Sequence, residues 1–199
     1  MTFKIDCDGV LRNLLERMCN IYNVEFVTNI KPEDCLYYDV DKVFTLCQEK
    51  LGISARNFMF KQYSQLLFKY SPIFDKAKEA IDMLHNAGHK IIIVTAQSSV
   101  DNKIYTLEWL RDNNIYYDDI VFTENKDIVK GDYMIDDSLD ILNDISKPTI
   151  PICIDAPYNK QNFKYRKYNS LYDFVVDFLN NTQNKNKISK RLYNFKMRF

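Results

Sequence analysis

The run Ile91-Ile92-Ile93-Val94 limits most what this chain can fold into. A continuous apolar stretch of that length fits a strand covered on both faces, and such strands belong to parallel sheets packed between helices. The flanking sequence repeats the theme. Asp75 to Ala87 carries Ala77, Ala80, Ile81 and Leu84 at helical spacing and stops at Gly88, the residue expected just past a helix end. Lys103 to Asn113 predicts a helix through Ile104, Leu107, Trp109 and Leu110. Ile120 to Phe122, Tyr133 to Ile135 and Ile150 to Ile154 read as further strands, with Pro151 placing the last at an edge. Leu139, Ile141 and Leu142 mark a short helix, and Leu171 to Leu179 a terminal one. At the start of the chain, Phe3 and Ile5 alternate with Thr2 and Lys4, the period of a strand. Strands alternating with helices predict an α/β, doubly wound parallel sheet.

One segment breaks the alternation. From about Asn13 to Ser71 there is no strand pattern. Val10, Leu11, Leu14, Leu15, Met18, Ile21 and Tyr22 recur at helical spacing, and helical stretches follow around Val40 to Leu51 and Ala55 to Tyr70. This segment is rich in aromatic residues and closes at Pro72. It reads as a helical insertion after the first strand. The expected organisation is a core of residues 1–12 and 72–184, an inserted unit of residues 13–71 and a basic tail of residues 185–199.

The 199 residues, 46% of them apolar, can bury one α/β core with such an insertion. The formal net charge is zero, but six of the 27 cations fall after residue 184, where there is no acid. Residues 1–184 therefore hold 21 cations against 27 acids, a net −6, which argues against a nucleic-acid groove in the body of the protein. The tail reads as a solvated end. No apolar run approaches the roughly 20 residues of a membrane span. The opening strand leaves no room for a basic leader and apolar signal segment, and the five cysteines form no CxxC pair. Free thiols in a reducing cytoplasm are the expectation.

The strand ends carry the chemistry. Sheets of this kind bind ligands outside the carboxyl ends of their strands. Asp6 and Asp8 follow the first strand, Thr95 follows the Ile91 strand, and Asp136-Asp137 follow the Tyr133 strand. Four carboxylates at one edge repel: two unit charges ~4 Å apart cost about 4 kcal/mol at an effective dielectric of about 20. The cluster calls for a cation, and all-oxygen donors point to Mg²⁺. Mg²⁺ shares its coordination with phosphate, so phosphoryl chemistry is the natural expectation. Such chemistry needs positive groups and hydrogen-bond donors on the phosphoryl oxygens. Lys126, Thr95 and the backbone N–H groups of Ala96 and Gln97 can supply them, with Lys103 as a weaker second cation.

These four elements in this order resemble the haloacid dehalogenase superfamily of phosphatases: Phe3 to Val10 with its DxDGV, Ile91 to Thr95, Lys126, and Tyr133 to Asp137. The finer resemblance is to the 5′(3′)-deoxyribonucleotidase family, through DCDGVL at the start and Lys126 followed by Gly131-Asp132-Tyr133-Met134-Ile135-Asp136-Asp137. The resemblance implies a Rossmann-like core with residues 13–71 as a helical cap. It also implies a hydrolase for (deoxy)nucleoside 5′-monophosphates. In that role Asp6 is the nucleophile and Asp8 the proton shuttle. Mg²⁺ is held by Asp6, the Asp8 main-chain carbonyl and Asp137, with Asp136 adjacent; Thr95, Ala96 and Lys126 bind the phosphoryl group. The partner is then a small nucleotide, and a homodimer is compatible with the family. The chain departs from animal members in Thr95-Ala96-Gln97, where those have Thr-Ser-Pro, in Leu14 where they have a phenylalanine, and in Glu124 near the lysine. A phosphatase for another small phosphomonoester, such as a sugar phosphate, is the alternative, and a catalytically silent phosphate-binding module a third reading.

Other residues read as structural. Cys7, between the two aspartates, is expected in the core because strand alternation turns it away from them. Trp109 is expected behind the sheet. Asp39-Val40-Asp41 reads as a helix N-cap region, and Asp118-Asp119 precedes a strand and lies at the wrong edge. His85 and His89 sit in or just after a helix, which leaves little basis for a zinc site.

Overall fold

In the computed structural model, which describes residues 1–161 and 164–182, the centre is β1 (Thr2–Ile5). It pairs in parallel with β2 (Lys90–Thr95) on one side and β4 (Tyr133–Asp136) on the other. β3 (Asp119–Phe122) extends the sheet beyond β2, while β5 (Ile150–Ile154) and β6 (Arg166–Tyr168) extend it beyond β4. The order is β3-β2-β1-β4-β5-β6, all parallel. The winding therefore changes direction between β1 and β4, and a crevice opens at the carboxyl ends of those two strands. The fold is the expected α/β one. The basic tail expected at 185–199 lies outside the described residues.

Two details of the sheet differ from the sequence reading. β5 is not an edge strand, because β6 covers it. β6 pairs only from Ile152 onward, so Pro151 meets β4 alone, and its missing N–H interrupts no ladder. Nor is β1 a half-exposed alternating strand: Lys4 is fully buried. Its ammonium donates to the carbonyls of Lys126 at 3.2 Å and Val129 at 2.8 Å, and so ties β1 to the loop that carries Lys126. A buried ammonium needs such partners, since desolvation without them costs several kcal/mol.

The core lies on both faces of this sheet. Phe3, Ile5, Ile91 and Ile93 pack with Ala80, Ile81 and Leu84 of α6 (Ala77–Asn86) and with Trp109 and Leu110 of α7 (Val100–Asp112). The helix at 171–182 adds Phe174 and Phe178, whose rings meet Phe3 and Tyr133. Helix α6 ends as its sequence predicts, with Gly88 at φ +75°. Helix α8 (Leu139–Asp144) covers a small separate cluster of Met134, Leu142 and Cys153.

A second hydrophobic cluster forms within residues 14–69. It joins α1 (Leu14–Phe26), α2 (Val40–Val43), α3 (Leu46–Leu51), α4 (Ala55–Asn57) and α5 (Ser64–Lys69), with a π-helical turn at Phe58–Gln62. Asn13 starts α1 reciprocally: its side chain accepts from Glu16 N and donates to the Glu16 carboxylate. The chain enters and leaves this segment side by side. Asn13 N donates to Pro72 O at 2.8 Å, Phe74 N donates to Leu11 O at 2.9 Å, and Arg12 bridges to Ile73.

Candidate active site

The end of β1 builds the site. Asp6 N donates to Ile135 O at 3.0 Å and extends the β1–β4 ladder by one residue. The chain then turns tightly, with Leu11 N and Arg12 N both bonded to Cys7 O. Gly9 makes the turn at φ +78°. It also makes room: a Cβ there would stand 2.1 Å from Asp137 Oδ2, so no side chain fits. Cys7 points into the sheet's core and is fully buried, which pushes its thiol up and leaves it unreactive.

Asp6 Oδ1 accepts from its neighbour's N–H, Cys7 N, at 2.8 Å and pairs with Lys126 Nζ at 2.8 Å. Lys126 opens a short 3₁₀ turn (Lys126–Ile128) after β3, and its Nζ also reaches Asp136 Oδ2 at 2.7 Å. Asp136 Oδ1 accepts from Ser138 N at 2.8 Å, so both its oxygens are engaged. The next residue, Asp137, is held at its main-chain carbonyl by Asn159 Nδ2 at 2.8 Å, and its Oδ2 accepts from the Tyr158 hydroxyl. Asp8 turns to the other side of the crevice. Its Oδ1 accepts from Arg12 Nε at 2.7 Å and its Oδ2 from Gln97 Nε2 at 3.0 Å.

The electrostatics of this cluster are unbalanced. Asp6, Asp136 and Asp137 are all buried and bring carboxylate oxygens within 4.8 Å of one another. One ammonium, Lys126, stands among them. Burial pushes Asp6 up to about 7, against the pull of Lys126. Burial, with Asp136 and Asp6 nearby, also raises Asp137 well above the usual carboxylate range. Lys126 is raised: its two carboxylates outweigh its burial. Among the described residues, no hydrogen bond occupies Asp6 Oδ2 or Asp137 Oδ1. A free oxygen on Asp137, surplus negative charge and an all-oxygen donor set fit a small hard divalent cation.

The remaining sequence candidates fall around this cluster. Ile5 pairs with Ile93 in register, so Thr95 ends β2 at the same edge as Asp6 and Asp8; it is buried, while Ala96 after it is exposed. Gln97 contributes through its side chain, to Asp8. Lys103 instead faces the Phe122 ring at 5.8 Å. A cavity of about 250 Å³ opens above Asp6, Asp8 and Asp137. Its far wall is largely aromatic and apolar, with Tyr37, Tyr38, Phe44, Phe60 and Leu14, and Arg56 is a cation on its rim.

The family described as 5′ nucleotidase, deoxy (pyrimidine), cytosolic type C protein matches the chain over residues 1–179. The chain belongs to this family. As a type C nucleotidase it is a phosphatase, and its sheet is of the haloacid dehalogenase type. A 5′(3′)-deoxyribonucleotidase of Bacillus subtilis is 26% identical over 163 residues, covering 81% of this chain and 88% of that one. Two solved structures share the fold. A haloacid dehalogenase-superfamily hydrolase from Ehrlichia chaffeensis has TM-score 0.52 and 15% identity, covering 90% of this chain and 96% of that one. The hydrolase YfnB from Bacillus subtilis, bound to magnesium, has TM-score 0.58 and 12% identity, covering 88% and 96%.

In this type C nucleotidase several functional-looking residues escaped the sequence reading. Tyr158 and Asn159 reach Asp137 from the short turn Pro157–Asn159 after β5. The strand-end rule that found Asp6 and Asp136 would have found that loop too, had it been applied to Ile154. Tyr38 meets the Tyr158 ring edge-on at 5.4 Å and no local pattern signals it. The side chains read as structural, Trp109, Asp39, Asp118, His85 and His89, do not line the cavity. Trp109 is fully buried with Nε1 bonded to Ser71 O. Asp39 caps α2 through Asp41 N. Asp118 accepts from Ile91 N at the opposite edge of the sheet. His85 packs on Tyr116, and His89 lies by the N-terminal amine. No helix among the described residues is long and apolar enough to cross a membrane.

Proposed function

We propose that the chain hydrolyses nucleoside 5′-monophosphates, deoxy ones among them, through an aspartyl-phosphate on Asp6, and that it works in the cytoplasm, where its five buried thiols stay reduced. The observation that carries this reading is the orientation of Asp6. Lys126 and Cys7 N fix its Oδ1, and its Oδ2 is left for attack at the floor of a cavity with aromatic walls. An ionised aspartate needs no base to activate it. Asp6 Oδ2 bonds to phosphorus as the P–O5′ bond breaks, and Asp8 gives its proton to the departing 5′-oxygen. Asp8 then takes a proton from water, which attacks phosphorus and returns Asp6 with release of phosphate. Thr95 Oγ1, the Ala96 N–H and the Lys126 ammonium hold the phosphoryl oxygens. Mg²⁺, when bound by Asp6, the Asp8 main-chain carbonyl and Asp137, supplies charge neutralisation at the same oxygens. Asp136, with both oxygens engaged, acts from behind by holding Lys126. Residues 13–71 serve as the cap, and the few of their aromatic side chains that line the cavity, Tyr37, Tyr38, Phe44 and Phe60, face the nucleoside.

The reading is supported by the family match and tested by a panel of phosphomonoesters assayed with Mg²⁺ by phosphate release. Deoxynucleoside and ribonucleoside 5′-monophosphates are expected to exceed sugar phosphates in kcat/KM by at least about 10-fold, the order of selectivity that one stacked base supplies. Equal rates across the panel would reject nucleotide specificity and leave a general phosphatase.

A further inference from the structure

Arg12 is an unusual residue to find fully buried four positions after a candidate acid. Its exposure is 0%, and every nitrogen has a task. Nε pairs with Asp8 Oδ1, one terminal nitrogen donates to the Phe68 carbonyl of α5, and the other donates to Thr106 Oγ1 of α7. The guanidinium also lies 5.1 Å from the Phe68 ring and 5.3 Å from that of Trp109. Burying a permanent charge is costly, and these contacts leave it no freedom to reorient. Gln97 approaches the same carboxylate from the other side, out of the loop after β2. Among the described residues, neither side chain hydrogen-bonds Asp6, Asp136 or Lys126, so the contacts of both converge on Asp8 rather than on that cluster.

We infer that Arg12 and Gln97 are positioning residues that fix the Asp8 carboxyl for proton transfer. An ionised carboxylate has about four lone-pair sites. Arg12 takes one on Oδ1 and Gln97 takes one on Oδ2, which stops rotation of the group. The carboxyl keeps 22% exposure and lines the cavity, so its unclaimed lone pairs remain within reach of a bound substrate. A carboxyl held in this way presents its proton along one direction, toward the leaving oxygen. The inference rests on the reading of Asp8 as proton donor and adds the two residues that aim it.

The test exploits the leaving group. An alkoxide such as a nucleoside 5′-oxygen needs a proton to leave, whereas 4-nitrophenolate leaves without one. The ratio kcat/KM reports only steps through departure of the leaving group, so later hydrolysis of the aspartyl-phosphate does not blur it. Gln97→Leu, at a loop position that does not threaten folding, and Arg12→Lys, which keeps the charge but loses the fork, are assayed on a deoxynucleoside 5′-monophosphate and on 4-nitrophenyl phosphate. Both variants are expected to lose roughly 10- to 100-fold in kcat/KM on the nucleotide, a fraction of what general acid catalysis supplies, and less than about 3-fold on the aryl phosphate. Equal losses on the two substrates, or no loss on either, overturn the inference. Asp8→Asn is run beside them. If Asp8→Asn shows the contrast and neither other variant does, the positioning role alone falls. If Asp8→Asn shows no contrast, the donor role of Asp8 falls and takes this inference with it.

Discussion

Lys126 Nζ lies 2.8 Å from Asp6 Oδ1, so the proposed nucleophile and the lysine proposed to bind the phosphoryl oxygens are already in contact. The same ammonium is 2.7 Å from Asp136. It therefore pairs with two buried carboxylates at once, and its removal leaves the two facing each other with no cation between them. Lys126→Met is expected to cost about 3–5 kcal/mol of stability, the range for breaking a buried ion pair from one side. Denaturant unfolding measures this. A variant as stable as the parent would mean the two carboxylates are not ionised together.

Asp6→Asn separates chemistry from folding. It removes the attacking oxygen's charge but keeps the shape and the Cys7 N contact. Turnover is expected to fall below detection. Tm is expected to stay level or rise, because one carboxylate leaves a cluster of three. Retained phosphate release would dismiss Asp6 as nucleophile.

A divalent cation at the proposed site would compete with protons for the same cluster. Asp6, at about 7, and Asp137 both have folded values above those of an unfolded chain. Groups raised in this way stabilise the fold at low pH, and that contribution fades as pH climbs through the folded value. The metal-free protein therefore carries an electrostatic cost that grows as pH rises from about 4 to about 7, which a bound divalent cation would relieve. The Mg²⁺-induced rise in Tm is expected to be larger at pH 8 than at pH 5.5, and chelation is expected to abolish activity. A pH-independent Mg²⁺ shift in calorimetry would contradict it.

Gly9→Ala places a methyl group where Asp137 Oδ2 now sits. The backbone there is left-handed, which costs any side chain roughly 1 kcal/mol even without a clash. Activity is expected to drop at least about 10-fold through displacement of Asp137, since misplacing a catalytic group by about 1 Å can cost far more. Titration with Mg²⁺ should show weakened binding in the same variant; unchanged Mg²⁺ dependence would clear Asp137 of the assigned role.

What could be read from the chain in advance followed one rule. Asp6, Asp8, Thr95, Asp136 and Asp137 stand at or just beyond strand ends, and a parallel sheet delivers all its strand ends to one edge. Lys126 was legible through its spacing to Asp136. What was hidden arrives from elsewhere. Arg12 carries no local signal, because its partners Phe68 and Thr106 are 56 and 94 positions away. Lys4 imitated an exposed strand position because its partners, the carbonyls of Lys126 and Val129, are more than 120 positions distant. Pro151 pointed to an edge because the three-residue β6 has too little apolar pattern to be seen, and its register spares the proline. The cavity's aromatic wall was visible only as composition. Which rings face inward depends on how short helices pack, and no periodicity of four to six residues records that.

The paired crossing of residues 11–13 and 71–74 has a consequence for descent. A segment that departs and returns through one doorway can be lengthened, shortened or replaced without re-threading the sheet. The acidic edge of the strands and the aromatic far wall of the cavity are thus carried by separable stretches of one chain.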